Sequence, residues 1–310
     1  MSKSAWTAFA VVSLLWGIPY FLIKVAVDDG MPPAFLAWVR IVLGAIVLLA
    51  LAHRAGVLDS VRGRWRWLAV FGVIEIAIPF PLIAAGEQYI SSALAAILIA
   101  AAPLFVALLA LRFDANERAS GRRLVGLVAG FAGVVALMGI DVAGQPDELI
   151  GAAAIITAAF CYAVGPMILK RHLADLDPRA SMGAALALAA LFLAPAAALD
   201  PPDAVPSVEA TISVISLGLL CTAVALVFFG RLIALVGPGR ATVVTYVNPL
   251  VAVALGAALL DERLGLGALV GLLLILVGSG LSTSARTRRQ ALDAAESEVP
   301  APSSSGAGKR

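Results

Sequence analysis

Ten apolar runs, each about the length of a membrane span, leave this chain few ways to fold. They cover residues 5–26, 32–52, 66–86, 90–111, 122–140, 149–170, 180–199, 211–233, 239–260 and 265–284, with charged or turn-rich breaks between them. A helix crossing the bilayer core needs about 20 mostly apolar residues. Lipid offers no partner to a backbone N–H or C=O, so a spanning segment is helical or belongs to a closed barrel. None of these runs alternates polar and apolar residues as barrel strands do. Composition agrees. The chain of 310 residues is 61% hydrophobic and 14% charged, with mean hydropathy +0.99, whereas a soluble domain is about half apolar and about a quarter charged. The expected fold is all-α: a polytopic membrane protein with ten transmembrane helices. The first run is too long for the core of a cleaved signal peptide and reads as the first span. From Ala285 onward the chain is rich in Ala, Ser, Pro and charge, the composition of a disordered tail.

Charge supplies the orientation. With the N-terminus in the cytoplasm, all but three of the 22 Lys and Arg residues fall in cytoplasmic segments; the exceptions are Arg263 in an outside loop and Lys24 and Arg40 within spans. Outside loops carry acids instead, among them Asp28, Asp29, Asp141, Asp147, Asp200 and Asp203. Positive residues stay inside, and one missed helix would scramble that alternation. Ten spans in a plasma (inner) membrane, with both termini cytoplasmic, are therefore expected.

The chain also repeats itself. Pro103 in AAPLFVALLAL pairs with Pro249 in VNPLVAVALG at an offset of 146 residues. At an offset of 145, Glu117 pairs with Glu262, Gly126 with Gly271 and Gly133 with Gly278; Lys24 pairs with Lys170 at 146. Residues 1–142 form a first repeat, 148–284 a second, and 285–310 a disordered cytoplasmic tail. Five spans per copy is an odd number, so the second copy enters the membrane upside down. Two inverted five-helix repeats are a device of secondary transporters, which rock around a site near the bilayer midplane.

With LLWGIPYFLIKVAV in span 1, WVRIVLGAIVLL in span 2 and a P…E…G…G signature closing each half, the chain resembles the drug/metabolite transporter superfamily, specifically its EamA-type members. The segment GLLLILVGSGL also resembles the last helix of small four-span multidrug relatives. The resemblance covers roughly residues 5–284. It implies carriage of amino acids, metabolites or drugs, commonly by export against a proton gradient or by exchange.

Helix breakers in corresponding spans point to the site. Gly17 and Pro19 in span 1, Gly165 and Pro166 in span 6, and Pro103 and Pro249 in spans 4 and 9 are the expected breaks. A proline lacks a donor and crowds the carbonyl one turn back, freeing carbonyls toward a cavity or merely kinking the helix. Trp16, Tyr20, Tyr162, Tyr246 and Asn248 lie near these breaks as cavity candidates. Each aromatic is either core packing or a substrate contact, and Asn248 is either an interhelical hydrogen-bond partner or a ligand contact.

Glu75, in AVFGVIEIAIPFP, is the acid placed deepest. It is about 15 Å into its span at 1.5 Å per residue. Such an acid faces the bundle interior, has a partner, or holds a proton, which makes it the proton-coupling candidate. Arg40 in span 2 reaches a similar depth. It either forms a static ion pair with Glu75 or offers its two-pronged edge to a substrate carboxylate. Lys24 reads as snorkelling to the headgroups. His53 and His172 read as solvated, and the glycines of spans 5 and 10 as packing faces between halves or between protomers.

No HExxH, GxSxG or Gly-Lys-Ser/Thr loop is present, which argues against an enzyme and against ATP use by this chain. Cys161 and Cys221 have no metal-ligand spacing, and no cofactor or metal is expected. The expected partners are the lipid bilayer, a small-molecule substrate and protons, with no nucleic acid, in a monomer or homodimer. The leading expectation is a secondary active exporter of small metabolites (amino acids, related polar or amphipathic compounds, or drugs) working by alternating access. An exchanger or uptake carrier of the same fold, a channel and a scaffold are the alternatives.

Overall fold

The computed structural model describes residues 2–113, 122–137, 145–237, 241, 243–263, 265–278 and 280–281. Glu117 of the repeated signature and the tail expected over 285–310 lie outside them. The chain is an all-α polytopic membrane protein. Among the described residues, seven helices are long and apolar enough to span: Lys3–Asp28, Pro33–Arg54, Trp65–Glu87, Ser92–Leu109, Pro146–Leu173, Pro178–Leu199 and Val208–Val236 (spans 1–4 and 6–8). Three shorter apolar helices, Leu124–Ala136, Val244–Leu259 and Leu266–Gly278, are spans 5, 9 and 10. The outer surface is apolar as well: Ile46, Val128, Ile150, Leu191, Phe192 and Leu273 all stand exposed. In water that surface would drive aggregation; against acyl chains it costs nothing.

Helix starts follow the sequence. Ser2, Ser91, Asp177 and Ser207 each accept a backbone N–H from the following first turn, which satisfies donors that a helix end leaves free. Arg179 donates both side-chain and backbone hydrogen bonds to Asp177, and these hold the Asp177 carboxyl below the usual aspartate range.

The two halves are inverted, as their contacts demonstrate. Spans 2 and 7 are repeat equivalents, and they pack antiparallel. Trp38 Nε1 donates to the Ala190 carbonyl at 3.2 Å, Gly44 faces Leu186, and Gly183 faces Leu49. Spans 5 and 10 do the same: Gly133 meets Gly271 and Leu274, while Gly278 meets Gly126 and Gly130. These glycine contacts therefore join the two halves. The remaining packing obeys the same exchange. Span 1 packs on spans 8 and 9 as span 6 packs on spans 3 and 4, and span 2 packs on span 8 as span 7 packs on span 3.

Spans 4 and 9 meet through a cap. Glu262, just beyond span 9, accepts hydrogen bonds from Ser92 N at 2.7 Å, Ala93 N at 3.0 Å and Ser92 Oγ at 3.1 Å. A carboxylate on free helix N–H groups is a charge-assisted cap. Glu262→Ala is expected to destabilise the detergent-solubilised protein by about 1–2 kcal/mol, read as a melting temperature lower by a few degrees. An unchanged melting curve would contradict that role.

Candidate functional site

Spans 1, 3 and 8 lose regular helix near their middles, as does span 4. In span 1 the helix Lys3–Gly17 stops and Pro19–Asp28 restarts it, with Ile18 between. Gly17 is needed there, because a Cβ would collide with Val251 of span 9. In span 3 the helix Trp65–Gly72 widens into a π-turn over Val73–Ala77 before Pro79–Glu87 resumes. Pro79 and Pro81 have no N–H to offer the carbonyls of Glu75 and Ala77. The chain responds with a wider bond, Ile78 N to Val73 O at 3.0 Å. Span 8 carries a π-turn over Leu219–Val224, the repeat equivalent of the one in span 3 at an offset of 146. No proline marks it. Thr222 supports it from the side chain, donating to the Leu217 carbonyl at 2.9 Å.

The expected breaks therefore need correction. Gly17, Pro19 and Pro103 do mark interruptions, the last at Ala100–Ala101 just before the helix Ala102–Phe113. Gly165 and Pro166 do not, because the helix Pro146–Ile168 runs through them and the distortion passes into a π-turn over Leu169–Leu173. Pro249 also lies inside a continuous helix, Val244–Leu259. A proline removes one hydrogen bond and crowds one carbonyl, and neighbouring bonds can carry the helix past that loss.

Arg40 sits where the irregular spans converge, and it is 7% exposed. Its Nε donates to Thr222 Oγ1 at 3.0 Å, and its guanidinium carbon stands 4.1 Å from the centre of the Phe80 ring. Tyr20, Tyr162, Cys221 and Glu87 are its electrostatic neighbours. Arg40 and Glu75 form no ion pair. Glu75 instead turns Oε2 against Gly165, where an added Cβ would overlap it. That oxygen is buried with no hydrogen-bond partner. Tyr162 and Cys161 lie close enough to Glu75 to interact with it electrostatically. Gly165 thus matters as room for a carboxylate rather than as a helix breaker.

The other candidates are dispersed. Trp16 packs on Phe229 with tilted rings, centroids 4.6 Å apart, in a cluster with Ala8, Val12, Leu232 and Val244, which is a packing role. Asn248 presents its backbone carbonyl to Gly17, and its buried Oδ1 has no partner. Tyr246 is half-buried on span 9.

Glu87 escaped the sequence reading. It stands at the expected end of span 3, where an acid looks interfacial. In the fold it is fully buried, and neither carboxylate oxygen has a partner. Lys24 does not snorkel. It donates to the Glu87 backbone carbonyl at 2.9 Å and pairs with Asp28 at 2.9 Å. Nor is His172 simply solvated, since its ring stacks on Trp67 at 3.4 Å between centroids. The arrangement places one buried cation and two unpartnered acids, with tyrosines between them, among five irregular or closely packed spans. Charges held this way in a membrane are costly.

The sequence profile of the EamA-like transporter family matches residues 4–139 and 149–284. The chain is 32% identical over 263 residues to an uncharacterized inner membrane transporter, YedA, of Escherichia coli K12, covering 83% of each. It is 26% identical to a probable amino-acid metabolite efflux pump of the same organism, over 90% of this chain and 94% of that one. A probable terminal-alkyne amino-acid exporter of Streptantibioticus cattleyicolor is 28% identical, over 84% and 87%. A solved crystal structure aligns with TM-score 0.66 at 21% identity, over 93% of this chain and 99% of that one; at that identity the likeness concerns the fold.

Proposed function

The chain belongs to the EamA-like transporter family and is a multi-pass membrane transporter, and we propose that it is a secondary carrier, not an enzyme, exporting small amino-acid-like or amphipathic metabolites by alternating access. The supporting observation is the antiparallel packing of repeat-related spans around the buried Arg40–Tyr162–Glu75 cluster. Two bundles built alike and set head to tail can exchange roles, each half presenting in turn the conformation the other has left. Residues that tie the halves lie at both ends of the bundle. At one end are the Glu262 cap and Ser207 N on Asp29 at 2.9 Å. At the other, Arg64 donates to the His172 carbonyl at 2.6 Å and to Asp175 at 2.9 Å, and Arg231 donates to Ser4 at 3.2 Å. Exposed ion pairs such as Arg64–Asp175 are worth about 0–1 kcal/mol each.

Orientation follows from the charges: both termini face the cytoplasm of a plasma membrane. Export is the direction named for two of the relatives. Glu75, whose Oε2 is buried without a partner, is the coupling group, and its carboxyl takes up a proton on one face and releases it on the other.

Purified protein in proteoliposomes tests the carrier. Vesicles preloaded with unlabelled amino acids or cationic drugs should accelerate entry of the labelled compound, with saturation. A linear, non-saturating flux would indicate a channel, and no flux of any compound a scaffold; either outcome overturns the proposal.

A further inference from the structure

We propose that the Nη1/Nη2 edge of Arg40 is an anchor for the carboxylate of the transported substrate, an inference that rests on the carrier reading above. A guanidinium has five N–H donors in a rigid plane and cannot lose its charge. Arg40 commits one of them, Nε–H, to Thr222 Oγ1 at 3.0 Å. Phe80 lies against the flat face, 4.1 Å from the guanidinium carbon. Together these hold the plane and rotation of the group. No hydrogen bond or ion pair to a described residue engages either terminal nitrogen. Nor do these nitrogens appear among the buried polar atoms that lack a partner. Both therefore keep some accessible surface, although the residue as a whole is only 7% exposed.

An arginine so deeply placed, oriented at one edge and vacant at the other, matches the fork of a carboxylate. The neighbouring acids do not fill that vacancy. Glu87 has both oxygens sealed away from hydrogen-bond donors, and Glu75 turns Oε2 toward Gly165. A phosphate dianion fits less well, since one arginine balances one negative charge and Glu87 already stands near it. Tyr20 and Tyr162 lie near enough to interact with the same guanidinium electrostatically, and their hydroxyls would serve the ligand's remaining polar atoms. The ligand class is thus a small molecule with a free carboxylate, such as an α-amino acid.

The test compares L-leucine, L-phenylalanine and L-threonine with their amides, which keep the amine and lose the anion. Thermal shift of the purified chain and counterflow in proteoliposomes are read for each pair. The free acids should bind about tenfold or more tightly than the amides, as expected when a charge-assisted fork is lost. Arg40→Gln should erase that preference, and Arg40→Lys, a point charge without a fork, should restore it only in part. Thr222→Val keeps volume and removes the orienting acceptor; it should weaken the acids several-fold while leaving the amides alone, and it serves if the Arg40 variants do not fold. Equal handling of acid and amide by the unaltered protein overturns the anchor, as does an equal loss of both in folded Arg40→Gln. Flux of amides without acids overturns the anchor and leaves the carrier standing. Acids that shift the melting curve without any flux count against the carrier and leave the anchor. Silence in both assays overturns both.

Discussion

Replacing Glu75 with glutamine is expected to uncouple transport from the pH gradient while leaving exchange of substrate intact. For one proton per cycle, a gradient of one pH unit supports about tenfold accumulation, equivalent to about 1.4 kcal/mol. Glu75→Gln should bring that accumulation down to about onefold, with counterflow kept within a factor of about three of the unaltered protein. Glutamine copies the shape of the protonated acid and can never release a proton. The structure makes Glu75 suitable for this experiment because no ion pair among the described residues involves it and Oε2 has no donor. Its removal therefore strands no buried cation, the usual reason for losing a protein when an internal charge is mutated. Gly165→Ala is the companion variant. Its Cβ would occupy the place of the Glu75 carboxylate, whose end is flexible, so the protein should fold while proton coupling is disturbed. Accumulation that persists unchanged in Glu75→Gln would refute the coupling role.

The second large effect concerns the seam between spans 5 and 10. A Cβ on Gly278 would stand 2.5 Å from the Gly126 carbonyl oxygen, 2.5 Å from Gly130 N and 2.6 Å from Gly130 Cα. All three are backbone atoms, so no side chain can swing aside and the helices must part. Gly278→Val is expected to cost about 3 kcal/mol, the upper end for overpacking, seen as loss of the folded peak on size exclusion or a sharply lowered melting temperature. Gly133→Ala should do less only because its contacts are slightly longer, Leu274 Cβ at 2.7 Å, the Gly271 carbonyl oxygen at 3.0 Å and Ile275 N at 3.1 Å; none of these atoms moves with a rotamer change. Gly230→Ala is the control. Nothing lies within 4 Å of its added Cβ, and a helical glycine exchanged for alanine gains about 0.5–1 kcal/mol. A Gly278→Val protein that melts like the unaltered one would mean the seam is not packed this way.

Much of this was readable from residues alone. Apolar run lengths defined the spans, and the paired Pro103/Pro249 and Gly133/Gly278 exposed the duplication. Pro19 and Pro79 each remove a backbone donor, and their helices are interrupted beside them. Other features had no local signal. The π-turn of span 8 has no proline and depends on a threonine hydroxyl. Pro166 and Pro249 looked like breaks, yet their helices continue. Glu87 gave no signal in the sequence, and its burial comes from packing: Gly86 next to it lies against Ile155 and Gly151 of span 6.

By itself the amino-acid order determined that this chain lives in lipid, how many times it crosses, and that its second half is a copy of its first. Those properties depend on sums over some twenty neighbouring residues, or on matches along the chain, and a bilayer responds to such sums directly. Tertiary structure alone decided which charges found partners. Arg40 chose Thr222 and Phe80 over Glu75, and Lys24 chose a backbone carbonyl over the headgroups. Partner choice depends on how each helix is rotated about its axis against spans up to 182 residues away, and no local pattern encodes that rotation.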